Sequence, residues 1–395
     1  MFAARREKLA KLLYGEYETD NHEFDIEEHT CMDVVLIDSP ENLYYYSGFT
    51  GGEAMLVMFT HGNSSVYIIT DSRYYEQVCK ECPDIPLIRL NNHTYVEMVS
   101  ALLYGQIKDD FDEDTKNVIS EADTYNVSDG LTIAIEESMN LSRYLKLTKA
   151  LDKCQLTVAS EQINGPRMVK EEKELELLRR AEHIGDEAFT HILSVLKPGI
   201  TESEISLELE FYMKKLGASR LSFDTIVASG PNSSMPHAQV TDRVIQNGDF
   251  VTMDFGCIYK GYCSDMTRTV AIGNPTEEMK KVYQIVLDAN LRAMDKIKSG
   301  VKCSDIDALA RDYIIDEGYG DYFGHGLGHG VGLEIHEEPR FSPKCDVITK
   351  AGMAITDEPG IYIPGNFGVR IEDLVVVKED GCERLSNSPK ELMVL

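Results

Sequence analysis

Val251-Thr-Met-Asp254-Phe-Gly-Cys-Ile-Tyr259-Lys-Gly-Tyr-Cys-Ser-Asp265-Met-Thr-Arg-Thr269 is the stretch from which the rest of this chain can be read. Two β-prone runs flank Tyr259-Lys-Gly261, a turn signal, so the segment reads as a hairpin. A two-residue turn at Tyr259-Lys260 pairs positions summing to about 519, which sets Asp254 opposite Asp265. Shifting the turn by one residue keeps both side chains on one face. Like charges directly opposite in an antiparallel pair are destabilising, and a bound cation would remove that penalty. A second acidic pair repeats the arrangement. Glu358 in Thr356-Asp-Glu358-Pro-Gly-Ile-Tyr362 and Glu372 in Gly368-Val-Arg370-Ile-Glu372 straddle the turn-like Pro364-Gly-Asn366. A hairpin there again puts two carboxylates on one face.

Between the pairs lies Phe323-Gly-His325-Gly-Leu-Gly-His329-Gly-Val-Gly-Leu-Glu-Ile-His336-Glu337. His325 and His329 have the i,i+4 spacing of a helical zinc motif, but glycines at alternate positions from Gly324 to Gly332 disfavour a helix. That motif also needs a glutamate directly after its first histidine, where this chain has Gly326. The segment is therefore expected to be extended or looped, with its backbone close to a ligand. Four carboxylates and one imidazole form a donor set rich in hard oxygens. It suits Mn²⁺, Co²⁺, Fe²⁺ or Zn²⁺ in a two-metal cluster. Two ions about 3.5–4 Å apart lower the pKa of a shared water and clamp the attacked carbonyl, which hydrolyses an amide without a Ser or Cys nucleophile. Neither a Gly-x-Ser-x-Gly elbow nor a Walker-type phosphate loop is found.

Working outward, Glu172 to Leu196 places Leu175, Leu178, Ala181, Ile184, Ala188 and Ile192 at helical spacing, ahead of Pro198-Gly199. Thr201-Glu-Ser-Glu204 is a capping box, and Gly217 ends the helix it opens. Two more helices are expected over Thr276–Ser299 and Ser304–Glu317, the latter opening with Ser304-Asp-Ile-Asp307; the last 75 residues or so read as strands and turns. Upstream, Asp33-Val-Val-Leu-Ile37 reads as a buried strand. Ala54–Phe59 and Ser65–Thr70 read as a hairpin around His61-Gly-Asn63, and a helix follows Asp71. The acidic tracts Glu16–Glu28 and Asp109–Asp114 read as solvated loops. The texture changes near Asn164-Gly-Pro-Arg167, which divides the chain into 1–165, an N-terminal α/β domain, and 166–395, an α+β domain holding the acidic hairpins.

Composition removes several function classes. With 67 Asp+Glu against 39 Lys+Arg in 395 residues, the formal net charge is −28. Such a surface repels phosphate backbones and excludes nucleic acid as a main partner. No apolar run approaches a membrane span and no secretory h-region is visible at the start, so no membrane partner is expected. Nine scattered cysteines fit reduced thiols and a cytoplasmic location.

Taken in order, these residues resemble the pita-bread metallopeptidase family, which includes methionine aminopeptidase, aminopeptidase P, prolidase and the non-metal creatinase. The match runs from about residue 170 to the end. Upstream, Asp38-Ser-Pro-Glu-Asn-Leu-Tyr-Tyr-Tyr-Ser-Gly-Phe-Thr-Gly51 and Thr70-Asp-Ser-Arg-Tyr-Tyr75 resemble the creatinase/prolidase N-terminal domain. The resemblance implies a pita-bread catalytic domain carrying two divalent ions, Mn²⁺ first and Co²⁺, Fe²⁺ or Zn²⁺ as alternatives. It implies that Asp254 chelates one metal, Asp265 and Glu372 bridge both, and His329 and Glu358 hold the other. Glu358 is also the implied partner for the proton of the bridging water or hydroxide. His237, in Ser234-Met-Pro-His237-Ala, and His336 match catalytic histidines. His325 matches the lining of the proline pocket, and Arg370 steadies ligand carboxylates or meets a substrate carboxylate. The implied activity is removal of the N-terminal residue from peptides with proline second, as an Xaa-Pro aminopeptidase, with Xaa-Pro dipeptidase (prolidase) as the alternative. A non-catalytic peptide- or protein-binding module on this fold is a third, weaker reading. A homodimer or higher homo-oligomer is expected. Asp357, beside Glu358, departs from the apolar residue of many relatives, and strand alternation turns it away from the metals.

Overall fold

The first six strands run Val34–Ile37 (β1), Met55–Phe59 (β2), Val66–Thr70 (β3), Leu87–Arg89 (β4), Thr132–Ile135 (β5) and Gln155–Val158 (β6). They form one sheet in the order β4-β3-β2-β1-β5-β6. The central strands read as unbroken apolar runs because helices cover them, and every residue of β1 and β2 is buried. The computed structural model describes residues 1–15, 31–61 and 65–395. The tract Glu16–Glu28 and the turn residues Gly62-Asn63 lie outside the described residues. Within them the chain divides into two units, Met1–Pro166 and Arg167–Leu395. In the first unit, Tyr45 and Tyr46 are packing residues whose hydroxyls donate to the carbonyls of Pro166 and Ile163. The tract Asp109–Asp114 is not all loop. Asp112 caps a helix over Glu113–Glu121, its carboxylate accepting from the N–H of Thr115 at 3.0 Å. Acidic residues suit a helix N-terminus because its free N–H groups and dipole favour negative charge.

In the second unit the Glu172–Ile192 helix buries the expected apolar stripe. It ends before Leu196 because the next hydrogen bonds tighten, Ser194 N–H to the His191 carbonyl and Val195 N–H to that of Ile192. The Thr201 capping box is present at the start of the Glu202–Lys215 helix. The Cys303–Asp316 helix starts one residue before the expected Ser304 opening, and no side chain caps it.

The strands of this unit are Arg220–Leu221 (β7), Ile226–Ser229 (β8), Phe250–Phe255 (β9), Cys257–Tyr259 (β10), Tyr262–Cys263 (β11), Met266–Ala271 (β12), Gly328–Gly330 (β13), Glu337–Phe341 (β14), Ala354–Asp357 (β15), Gly360–Ile363 (β16), Phe367–Arg370 (β17), Asp373–Val377 (β18) and Cys382–Arg384 (β19). They pair as β11-β10-β7, β12-β9-β8, β14-β13-β15-β18-β19 and β16-β17. The first acidic hairpin turns over Lys260 and Gly261, both at positive φ (49° and 93°), the pattern of a type I′ turn. Its register is therefore shifted by two from the expected one, and Asp254 faces Thr267, not Asp265. Placing the turn on Tyr259-Lys260 would ask a tyrosine for positive φ, whereas glycine takes it without strain. Asp265 falls in the gap between β11 and β12, across from Gly256. A Cβ on Gly256 would sit 2.0 Å from the Ser264 carbonyl oxygen, so only glycine permits this close crossing. The second acidic hairpin has the expected register: Gly360 pairs with Arg370, and Asp357 with Asp373. Glu358 and Glu372 sit between those two ladders, where one pair of strands leaves one sheet for another.

Candidate active site

Four of the five residues expected to hold metal stand at or beside strand ends, and the fifth, His329, sits where the β13–β14 register shifts. Asp254 stands near the end of β9, Asp265 between β11 and β12, His329 on β13, Glu358 after β15 and Glu372 before β18. At these points the backbone ladders stop or shift and side chains from different sheets can converge. Ligand atoms of Asp265, His329 and Glu372 all lie within 4.8 Å of one another, and all three residues are buried. His329 Nε2 is 3.5 Å from Asp265 Oδ2 and 3.4 Å from Glu358 Oε1. The segment around His329 is extended, as its alternating glycines required.

The electrostatics of this cluster call for positive charge. Burial pushes the Asp265 carboxyl well up, and the charges of Glu372, Asp254 and Glu358 push it further. Glu372 is raised by burial, then by Glu358 and Asp254. Burial pushes Glu358 to about 8, with Arg370 opposing and Asp254 assisting. Crowded, desolvated carboxylates of this kind are satisfied either by protons or by cations. One oxygen of Asp254, Oδ1, is buried without a hydrogen-bond partner. His329 is lowered to about 3, chiefly by burial, and its Nδ1 lies 3.1 Å from the Gly330 carbonyl. That contact assigns the proton to Nδ1 and leaves the Nε2 lone pair facing the carboxylates. The donor set fits divalent metal.

Around the cluster opens a cavity of about 900 Å³, lined by all five of these residues and by His237, His325, His336 and Arg370. His237 and His336 stand exposed on its wall. The His336 ring packs edge-on against that of His329, centroids 4.4 Å apart. Burial lowers the His336 pKa, with Arg340 and His237 adding to the effect.

Residues without a recognisable motif complete the site. The Tyr362 hydroxyl accepts from Arg370 Nη1 at 2.9 Å and lies 3.0 Å from His325 Nε2. His325 Nδ1 is 2.7 Å from the Gly326 carbonyl. The hydroxyl proton therefore points at Nε2, and His325 is a neutral ring with both nitrogens engaged, in keeping with a pKa lowered by burial to about 4. Arg370 also donates to Asp254 Oδ2 at 2.6 Å, to the Thr267 hydroxyl at 3.0 Å and to the Pro236 carbonyl at 3.1 Å. Thr267 in turn donates to Glu372 at 2.7 Å. Behind the site, Glu182 accepts the Asp265 N–H at 2.7 Å. Arg340 lines the cavity, and among the described residues the carboxylate paired with it is Glu338, at 3.7 Å. The sequence signal for Arg340 was its place four residues after His336. Tyr362, Thr267 and Glu182 had none, since each acts through a partner distant in sequence.

Asp357 is not on an outer face. It is fully buried, and both carboxylate oxygens lack a hydrogen-bond partner. Its strand is covered on both sides, so turning away from the metals means turning into the protein. Cys257 and Cys263 are buried thiols beside the hairpin, not ligands of the cluster.

A sheet-end cluster of carboxylates and one buried imidazole, opening into a peptide-sized cavity, defines a metallohydrolase site. The chain belongs to metallopeptidase family M24, matched over residues 176–379, and carries a creatinase/prolidase N-terminal domain matched over residues 26–169. It has the pita-bread fold. An Xaa-Pro dipeptidase of Pyrococcus furiosus is 35% identical over 93% of this chain and 97% of that relative. Among solved structures, the Xaa-Pro dipeptidase from Bacillus anthracis superposes with a TM-score of 0.86 at 37% identity, covering 100% of both chains. The X-Pro aminopeptidase from Thermotoga maritima gives 0.79 at 37% identity, over 92% of this chain and 98% of that one. Among the described residues no helix is long and apolar enough to cross a membrane.

Proposed function

We propose that this metallopeptidase is an Xaa-Pro dipeptidase, which reverses the order of the two activities expected from sequence. The observation that carries the reading is Arg340. A dipeptide places a free carboxylate one residue beyond the scissile bond, and a site for it needs a cation at that end of the cavity. Two arginines line the cavity among the described residues. Arg370 is committed to Asp254, Tyr362, Thr267 and Pro236, whereas among the described residues Arg340 has only a 3.7 Å approach to Glu338. The dipeptidases among its relatives, similar along both units, support the same reading.

Asp254, Asp265, His329, Glu358 and Glu372 would hold two divalent ions, with Mn²⁺ the first choice for this oxygen-rich set. When bound, such ions supply Lewis acidity and a lowered water pKa. The protein's own groups then orient and move protons. Glu358 would take the proton of the attacking water, and His237 and His336 would donate to the scissile carbonyl oxygen as charge develops on it. With both nitrogens engaged, His325 presents ring surface, which suits the apolar pyrrolidine of proline. We also propose that the chain forms a homodimer or higher homo-oligomer.

The similarity to the Thermotoga maritima aminopeptidase keeps a second reading, hydrolysis of longer Xaa-Pro peptides. Hydrolysis of Xaa-Pro beside Xaa-Pro-Xaa, both with Mn²⁺, separates the two. Strong preference for the dipeptide is expected. Equal or faster cleavage of the tripeptide would transfer the assignment to an aminopeptidase.

A further inference from the structure

We propose that Glu337, clamped by Arg167 and Lys170, is a positioning residue that sets the place of His336 in the cavity. The proposal rests on the catalytic reading of His336 given above. Glu337 opens β14 with its side chain turned inward, 5% exposed, against Arg167 at 4% and Lys170 at 1%. Arg167 Nη2 donates to Glu337 Oε1 at 2.5 Å and to Glu334 at 2.7 Å, and Lys170 Nζ to Glu337 Oε2 at 3.1 Å. The same carboxylate accepts the main-chain N–H groups of Leu333 at 3.0 Å and Glu334 at 3.2 Å. It presses on Gly332 so closely that a Cβ there would lie 2.5 Å from Oε2. The bend between β13 and β14 is thus tied at both ends to one side chain. Only Ile335 and His336 lie between the tied points, and both line the cavity.

Other arrangements would satisfy the backbone at lower electrostatic cost. Three buried charges carry a desolvation penalty that a polar turn on the surface avoids. What the clamp adds is a fixed geometry for a group that must meet the carbonyl oxygen within a few tenths of an ångström, where a misplacement of about 1 Å can cost roughly 10²-fold in rate. Arg167 and Lys170 lie at and just after the point where sequence texture changes, and both donate to Glu337. Glu337 is the carboxylate the two cations share, and their common effect on the reaction is proposed to run through it.

The test is a double-mutant cycle between Glu337→Gln and His336→Ala on the Mn²⁺-loaded full chain, read as kcat and KM for Xaa-Pro. Metal stoichiometry and melting temperature are measured alongside, without turnover. Glu337→Gln is expected to lower kcat by up to about 10²-fold, with metal content unchanged and KM little altered. In the His336→Ala background the same change should have less than about a twofold further effect. Losses that multiply in the double variant would overturn the proposal while leaving His336 catalytic. Full activity of His336→Ala would instead remove the catalytic reading of that residue, and the proposal with it. Because Glu337→Gln removes a buried negative charge facing two buried cations, Arg167→Lys serves as the milder second variant. It keeps the charge but cannot bridge Glu334 and Glu337 as a guanidinium does. A kcat loss that also vanishes without His336 is expected, and unchanged kcat in both folded variants would refute the clamp.

Discussion

Arg370 donates from Nη2 to Asp254 Oδ2 at 2.6 Å, joining β17 of one sheet to β9 of another at the edge of the proposed metal centre. The bond leaves Asp254 Oδ1 without a protein partner, so the carboxylate is oriented with one oxygen available. Removing the guanidinium by Arg370→Met should let Asp254 rotate and add its charge to an already crowded cluster. Affinity for divalent ions is expected to fall about 10–100-fold, the usual cost of losing such an orienting partner. Calorimetric titration of the metal-free protein with Mn²⁺ checks this, and wild-type affinity in the variant would contradict it.

Arg340 should matter to the substrate's carboxylate and not to the metals. Arg340→Met is expected to raise KM for an Xaa-Pro dipeptide by about tenfold or more, since a hydrogen bond to a charged group is worth roughly 1.5–3 kcal/mol. A dipeptide with an amidated C-terminus should show little change. If both substrates suffer equally, Arg340 is not reading the carboxylate.

Asp357 offers a stability prediction. Burial raises its pKa well above the ordinary range; Lys390 opposes that, and Asp373 and Glu358 add to it. Both oxygens lack partners, whereas Lys390 retains Asp373 and Asn290 at 2.7 and 2.6 Å. Replacing an unsatisfied buried carboxyl by an apolar residue of similar size relieves a penalty of about 1–3 kcal/mol. Asp357→Val should therefore raise the melting temperature, and a lower one would mean that the carboxyl is held by something beyond these groups.

Acid should test the clamp on the His336 bend. Burial opposes ionisation of Glu337, yet Lys170 and Arg167 outweigh it and hold the carboxyl at about 2, below its ordinary 4.5. Between those values the unfolded chain binds more protons than the native one. The contribution is thus complete above pH 4.5 and is lost as pH falls through about 2. Urea denaturation across this range should show a shallower acid limb for Glu337→Gln than for the wild type. Identical limbs would show that the ion pair adds no pH-dependent stability.

Much of this molecule was legible because its signals are local. The capping box at Thr201, the apolar stripe from Leu175 to Ile192 and the glycines around His329 each state a backbone preference within a few residues. The ordered acids and histidines carried the family resemblance for the same reason, since each sits in its own short context. The hairpin register was harder to read, because moving a turn from Tyr259-Lys260 to Lys260-Gly261 leaves every side chain on the same face. Asp112 read as loop because a capping acid and a solvated one look alike until the helix behind it is seen.

Sequence alone determined the metallopeptidase class and pointed to a two-part chain and to the acids and histidines proposed for its site, because element type and residue chemistry are encoded over short spans. Tertiary structure decided how those residues are served. It engages both nitrogens of His325 through Tyr362 and Gly326, commits Arg370 to Asp254, leaves Arg340 facing the cavity and ties the His336 bend to Arg167 and Lys170. These relations join groups up to about 170 positions apart, and only the packing of separate sheets and loops brings them within hydrogen-bonding distance.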